Sequence, residues 1–407
     1  MKGFSIREKC HINTNYESDT FVGIKAKNGD ITINFPLGYN LSEDEDELRR
    51  DILLLLETLA ANVDSRDSEL LGVAKKSDEV QFPIQAYIYV ISDFLSRGLY
   101  KEQEVLYQVS NRGKINWKRT ISTQKAYEQN GNVFFLNYVT KRNSLKEDEF
   151  ITLIHEYIVY DSFKKIGWLF TGYVPKKPRI KYNKRLFISV LVDKLQHTFN
   201  DKNKILFNNM LKIINQIGDV ESPMTYKYGT YRFEYIWEKM IDKVFGVANK
   251  SAYFPRTTWI VNGVATENAC LEPDTIMLCE NDVYVLDAKY YKYGYTGRVA
   301  DLPESTSINK QITYGEYIHK KIIQEETQEV YNAFIMPYNA SKKDGYEVIS
   351  IGEAVSNWKR NNKPYQRVVG ILYDVKTLMN KHVRQDMSEI SRMANLIRDT
   401  LQKNACS

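Results

Sequence analysis

The chain has 407 residues, enough for two or three domains, and its 43% hydrophobic and 26% charged residues describe a soluble globular protein with a modest formal charge of +5. No apolar run approaches the ~18 residues that spanning a bilayer requires. The start, MKGFSIREKC, lacks the apolar stretch of a signal peptide, so a cytoplasmic protein without membrane contact is expected. Four scattered cysteines without CxxC spacing, and five histidines that do not cluster near them, argue against a zinc site and a disulfide framework.

Residues 21–26 and 31–35 read as strands joined across KNGD, with Pro36 and Gly38 ending the pair. Leu48, Ile52, Leu55, Leu56 and Leu59 recur at three- and four-residue steps, which predicts a helix over 45–61, and a second is expected over 84–98. NRGKINWKRTI (111–121) reads as a basic loop and strand, and NVFFLNYV (132–139) as a further strand. The patterns over 148–166 and 184–217 are mainly helical. Between positions 161 and 212 twelve Lys/Arg stand against three acids, with Trp168, Tyr173 and Tyr182 among them. Such a patch suits a nucleic-acid backbone, and it equally suits a solvated helix face. GDVESPMTYKYG (218–229) combines Gly, Pro, Ser and acids, marking a junction between an amino-terminal domain over 1–218 and a second domain over 225–407. Beyond it a helix, a strand hairpin, a helix and strands at 330–337 and 368–375 outline an α/β domain.

Chemistry concentrates in EPDTIMLCENDVYVLDAKYYKYG (272–294), where the apolar run Val283 to Leu286 leads into Asp287 and Lys289. A two-residue turn with Asn281-Asp282 at its tip sets Asp274 opposite Lys289, and strand alternation turns Asp287, Lys289 and Asp274 to one face. Two close carboxylates repel unless a cation neutralises them, and oxygen donors without His or Cys favour Mg²⁺ or Mn²⁺. Such an ion polarises a phosphoryl oxygen and acidifies bound water, while a neighbouring lysine orients that water and offsets developing charge. This is the equipment of phosphodiester hydrolysis. YRFEYIWEKMIDKVFG (231–246) is an amphipathic helix with Glu234 and Glu238 one turn apart on the border of its apolar stripe, where each either reaches the sheet's active face or meets solvent. His155 and His319 are isolated and read as satisfied or solvated side chains.

The order Glu238, Pro273-Asp274, Asp287-Ala288-Lys289 resembles the PD-(D/E)xK nuclease superfamily. LDAKYY after LEPDTIM, with FEYIWEKM upstream, is similar to McrC-type restriction subunits and particularly to the LlaJI family, and NFPLGY (34–39) and GKINWKRTI (113–121) resemble that family's amino-terminal half. The resemblance implies an α/β protein, a PD-(D/E)xK restriction-endonuclease-like core preceded by an α+β amino-terminal domain. It implies Asp274 and Asp287 as metal ligands, Glu238 as the helix-borne acid at the same Mg²⁺ or Mn²⁺, and Lys289 as the catalytic lysine. The middle acid is Asp287 rather than Glu, a shorter side chain that the superfamily pattern admits. NKQITYGEY (309–317) offers Gln311 and Tyr314 where related nucleases carry a Gln-x-x-Tyr motif, either to position DNA and support the site or simply to pack.

No GxxxxGK[ST] loop occurs, so no P-loop nucleotide site is expected. The resemblance therefore implies double-stranded DNA as substrate, a separate McrB-like AAA+ GTPase, and an associated DNA methyltransferase. Arg112, Lys114, Lys118 and Arg119 around Trp117 are the candidate partner contact, with Trp117 filling the amino-terminal core as the other reading. The expected function is Mg²⁺-dependent DNA endonuclease activity in a restriction system. The alternatives are a non-catalytic regulatory subunit of an AAA+ partner and a repair or recombination nuclease of the same fold.

Overall fold

The computed structural model describes residues 5–27, 30–62, 82–146, 149–217, 226–268, 270–323, 327–342, 345–360 and 362–403. The chain is a mixed α/β protein in two units, one formed by 1–81 together with 223–407 and the other by 82–222.

It begins with β1 (Cys10–Ile12), β2 (Val22–Lys27) and β3 (Asp30–Phe35). Val22, Ile24 and Ala26 alternate along β2, as Ile31, Ile33 and Phe35 do along β3, and burying both sets places Ile24 opposite Ile33. The turn expected between them lies partly outside the described residues. α1 (Glu45–Asn62) follows and buries the leucine stripe read from the sequence.

The chain then builds its second unit: α2 (Ile84–Arg97), β4 (Glu102–Val109), β5 (Lys114–Ile115), α3 (Trp117–Thr123), β6 (Ala126–Gln129), β7 (Asn132–Phe135), β8 (Val139–Lys146), α4 (Phe150–Ile166), α5 (Lys184–His197) and α6 (Asp201–Gln216). β4, β8 and β5 form a small antiparallel sheet, β6 and β7 a separate hairpin, and the longer helices pack on one another. Of the basic loop and strand expected over 111–121, the strand is confined to Lys114–Ile115. Asn116 accepts a hydrogen bond from the Arg119 amide (3.0 Å) and so caps a helix starting at Trp117.

β9 (Tyr226–Thr230) returns to the first unit by pairing with β2, giving the strand order β1-β3-β2-β9. The crossing is tightest at Gly23 and Gly229, which face each other with φ of 137° and 151°. A Cβ at either would stand 2.2 Å or 2.1 Å from a carbonyl oxygen of the opposite strand, so only glycine fits. This pairing corrects the expectation of a single amino-terminal domain over 1–218. The first 81 residues belong with 223–407, and part of the stretch read as a linker, from Tyr226 onward, is a strand. The rest of that junction, 218–225, lies outside the described residues.

α7 (Phe233–Phe245), β10 (Thr258–Val261), β11 (Val264–Glu267), β12 (Thr275–Cys279), β13 (Asp282–Ala288), α8 (Tyr293–Thr296), α9 (Ser305–Lys321), β14 (Val330–Tyr338), β15 (Val348–Val355), β16 (Arg367–Asp374), α10 (Val375–Lys381) and α11 (Met387–Lys403) complete the unit. The main sheet runs β12-β13-β14-β16-β15, with β13, β14 and β16 parallel and the outer two strands antiparallel to their neighbours. Its central strands are almost continuously apolar, as strands covered on both faces must be. Val283 and Val285 pack against Tyr314 and Ile318 of α9, and the Trp237 indole of α7 donates to the Ile335 carbonyl (3.2 Å).

The amino-terminal segment buttresses this sheet. The Leu37 amide, inside NFPLGY, donates to the Tyr290 hydroxyl (2.7 Å), and the Tyr290 ring packs beside Phe233 and Trp237. Lys239 and Lys243 of α7 donate to the carbonyls of Asn62 and Ala61, satisfying the carboxyl end of α1.

Candidate active site

Asp287 is the penultimate residue of β13 and Lys289 follows the strand, so alternation sends both toward one side while Ala288 points away. The hairpin that brings Asp274 to them differs by two residues from the sequence expectation. Its tip is Glu280-Asn281, with Cys279 opposite Asp282 and Thr275 opposite Leu286. Glu280 takes the left-handed conformation (φ 56°), and Asp282 is held in the strand, its carboxylate accepting from the Glu329 amide (3.0 Å). Asp274 consequently sits level with Asp287 rather than Lys289. A slip of two preserves side-chain parity, so the three residues still share a face.

The local bonds are specific. Lys289 Nζ lies 2.6 Å from Asp287 Oδ2, and Asp287 is only 6% exposed. Asp274 Oδ2 accepts from the Ala288 amide (2.9 Å). Burial, followed by the charges of Asp287 and Glu238, pushes the Asp274 carboxyl from 3.8 up to about 8, against the pull of the Ala288 amide and Lys289. Burial also raises Glu238, with Lys250 opposing and Asp287 and Asp242 adding to the rise. For Lys289 burial works against the charge, but Asp287, through charge and hydrogen bond, and then Asp274 outweigh it and hold the ammonium above its ordinary value.

Three acids thus share one electrostatic neighbourhood. Among the described residues, however, no three His, Cys, Asp or Glu side chains are grouped closely enough to hold a metal ion. The expected set of Asp274, Asp287 and Glu238 is not preassembled. What the geometry offers is the Asp274–Asp287 pair, with Glu238 acting through its charge. A mutually repelling pair of oxygen donors suits a cation such as Mg²⁺, which commonly takes one or two carboxylates and completes its shell with water and phosphate oxygens.

Gln311 and Tyr314 are both buried, Gln311 to 1% exposure. Gln311 Nε2 donates to the Val285 carbonyl (2.7 Å) and the Tyr314 hydroxyl to that of Glu272 (3.2 Å), so they pin the backbone on both arms of the hairpin. Three neighbours were missing from the sequence reading: Asp242, Lys250 and Thr275. Asp242, one turn beyond Glu238 on α7, was detectable from that spacing, whereas Lys250 gave no local signal.

Arg112, Lys114, Trp117, Lys118 and Arg119 belong to the second unit and are all exposed. Trp117 is 54% exposed and meets the edge of Tyr138, at 5.8 Å between ring centroids, so it does not fill a core. Thr120 is the buried residue of α3, its hydroxyl accepting from the Val139 amide (2.9 Å). Arg119 lies over the Tyr107 ring (3.9 Å). In the basic segment Lys176, Lys177 and Arg179 are exposed, with Arg179 3.5 Å from Glu156, while Lys165 and Lys194 are committed to Asp161 and Glu102. Of its interleaved aromatics, Tyr182 is tied to the Ile214 carbonyl and Tyr173 is exposed.

Two aspartates and a lysine thus converge at the end of a mixed sheet. The family model described as LlaJI restriction endonuclease matches residues 21–353, and the chain belongs to that family. No curated protein matches. Among solved structures, the chain is similar to one described as a refined half-complex from a tetradecameric assembly of Thermococcus gammatolerans McrB AAA+ hexamers with bound McrC, at 14% identity, covering 92% of this chain and 83% of that chain, with a TM-score of 0.37. Among the described residues no helix is long and apolar enough to cross a membrane.

Proposed function

We propose that this chain is the DNA-cleaving subunit of a restriction system, hydrolysing phosphodiester bonds with Mg²⁺ or Mn²⁺ through a PD-(D/E)xK site. The observation that carries the reading is the convergence of Asp274, Asp287 and Lys289, with Asp274 raised to about 8 beside a second carboxylate. Asp274 and Asp287 would hold the cation, and Glu238 would add negative charge at its border. The bound ion supplies Lewis acidity toward a phosphoryl oxygen. Lys289, kept protonated by Asp287, presents an ammonium that orients the attacking water and offsets charge accumulating on the phosphate. Gln311 and Tyr314 hold the backbone that carries these groups. An intact acid pair and lysine favour catalysis over a purely regulatory subunit.

The second unit would dock a McrB-like AAA+ GTPase through Trp117 and its basic neighbours, since the sequence contains no P-loop of its own and this indole is presented to solvent. Within the same system a DNA methyltransferase would protect host DNA. The test is cleavage of duplex DNA by the chain with its GTPase partner. Activity should require Mg²⁺ or Mn²⁺ and fall a hundredfold or more (~10²) in folded Asp287→Asn and Lys289→Ala variants. Near-wild-type cleavage by Asp287→Asn refutes the site.

A further inference from the structure

Lys250 lies in a short 3₁₀ turn after α7, and its ammonium makes two bonds: 2.6 Å to the main-chain carbonyl of Asp274 and 2.9 Å to Asp242 Oδ2. The other oxygen of Asp242 accepts from the hydroxyl of the fully buried Thr275 (3.1 Å). One carboxylate on α7 therefore holds the residue after Asp274 directly and the Asp274 peptide through Lys250. The Asp274 side chain is fixed separately by the Ala288 amide. Glu238 sits one turn before Asp242, so the same helix carries the border acid and the anchor.

We propose that Asp242, Lys250 and Thr275 form a positioning clamp that sets the Asp274 carboxylate against Asp287 for cation binding, a role that rests on the site reading above. Charge-assisted bonds suit this task. Lys250 satisfies a carbonyl just outside the hairpin ladder, and Asp242 neutralises the ammonium so that it does not compete with the cation for Asp274. Partners behind a metal ligand commonly account for 10- to 100-fold in metal affinity.

The test is Mn²⁺ binding to the full-length chain by isothermal titration calorimetry, with thermal melting in EDTA as the control for folding. Lys250→Met and Asp242→Asn should weaken Mn²⁺ binding by about tenfold or more. Lys250→Arg, which keeps the charge and donors, should recover most of the affinity, and duplex DNA binding measured in EDTA should not change. If Lys250→Met or Asp242→Asn lowers the metal-free melting temperature strongly, Thr275→Val, which keeps side-chain volume, supplies the decisive measurement and should still weaken Mn²⁺ binding severalfold. Wild-type Mn²⁺ affinity in the folded clamp variants, with affinity lost in Asp287→Asn, overturns the clamp and leaves the site intact. Wild-type affinity in Asp287→Asn overturns the site reading itself.

Discussion

Replacing Asp274 by Asn should make the metal-free protein more stable, although it removes a charge-assisted hydrogen bond. The folded-state carboxyl is raised from 3.8 to about 8. The folded chain therefore binds a proton that the unfolded chain releases between these values, and stability falls as pH rises from about 4 to about 8, the reverse of a salt-bridged carboxylate. At 1.36 kcal/mol per unit the ceiling is roughly 6 kcal/mol. Asp274 is partly exposed, so solvent offsets part of both the burial cost and the repulsion, which brings the expected gain to about 2 kcal/mol. An asparagine oxygen can still accept from the Ala288 amide, so the local geometry need not change. In calorimetric scans with EDTA, the variant should melt roughly 2–4 °C above wild type at pH 9, with the difference shrinking toward pH 4. Adding Mn²⁺ should reverse the order, because a ligand at a hundred times its dissociation constant stabilises by about 2.7 kcal/mol and the variant has lost a ligand oxygen. A variant that melts at or below wild type at pH 9 without metal would show that neither burial nor its acidic neighbours destabilise the Asp274 carboxylate.

The second unit has its own pH signature. His155 is fully buried, its Nδ1 accepts from the Tyr100 amide (2.9 Å), and burial, followed by Arg97, lowers its pKa from 6.5 to about 3. The stability it contributes is complete above about pH 6.5 and lost as the pH falls toward 3, so His155→Gln should flatten acid unfolding monitored by circular dichroism over that window. Reversing Lys176, Lys177 and Arg179 to Glu should weaken duplex DNA binding and reduce its salt slope by about 0.9 for each phosphate no longer neutralised, and an unchanged slope returns the segment to a solvated face. Trp117→Ala should leave the melting temperature within about 1 °C of wild type, since the indole is largely exposed, while reducing co-purification with the GTPase partner. A large loss of stability would place Trp117 in the fold rather than at an interface.

The sequence made periodic elements readable wherever one face is buried. The α1 leucine stripe, the α7 stripe and the β2–β3 alternation all lie within a residue or two of their expected bounds. Parity brought Asp274, Asp287 and Lys289 together because it survives a register error of two, while the turn itself was misassigned since Glu280 adopts a conformation more typical of Asn or Gly. The fold of the first unit was harder to see. Its integrity depends on β2 meeting β9 across an inserted unit, a non-local pairing that leaves only two glycines as its trace. Trp117 shows the opposite error, where two strand residues and a capped helix were read as a basic loop and strand. Lys250 was invisible for a related reason, since its partners Asp242 and Asp274 become neighbours only in three dimensions.

The β2–β9 pairing also orders events during synthesis. When the ribosome has made α1, the strands β1 to β3 still lack their fourth member, and 82–222 must be translated before it arrives. Among the described residues the inserted unit has no strand paired outside itself, so it can complete its own sheet and helix packing while the earlier segment waits. Glu238, Asp274 and Asp287 are all translated after β9. At roughly 5–20 residues per second, the remaining stretch takes on the order of ten seconds or more. The inserted unit is therefore complete before the residues of the proposed site have been made, and the open edge of β2 is the surface a chaperone would have to cover in the interval.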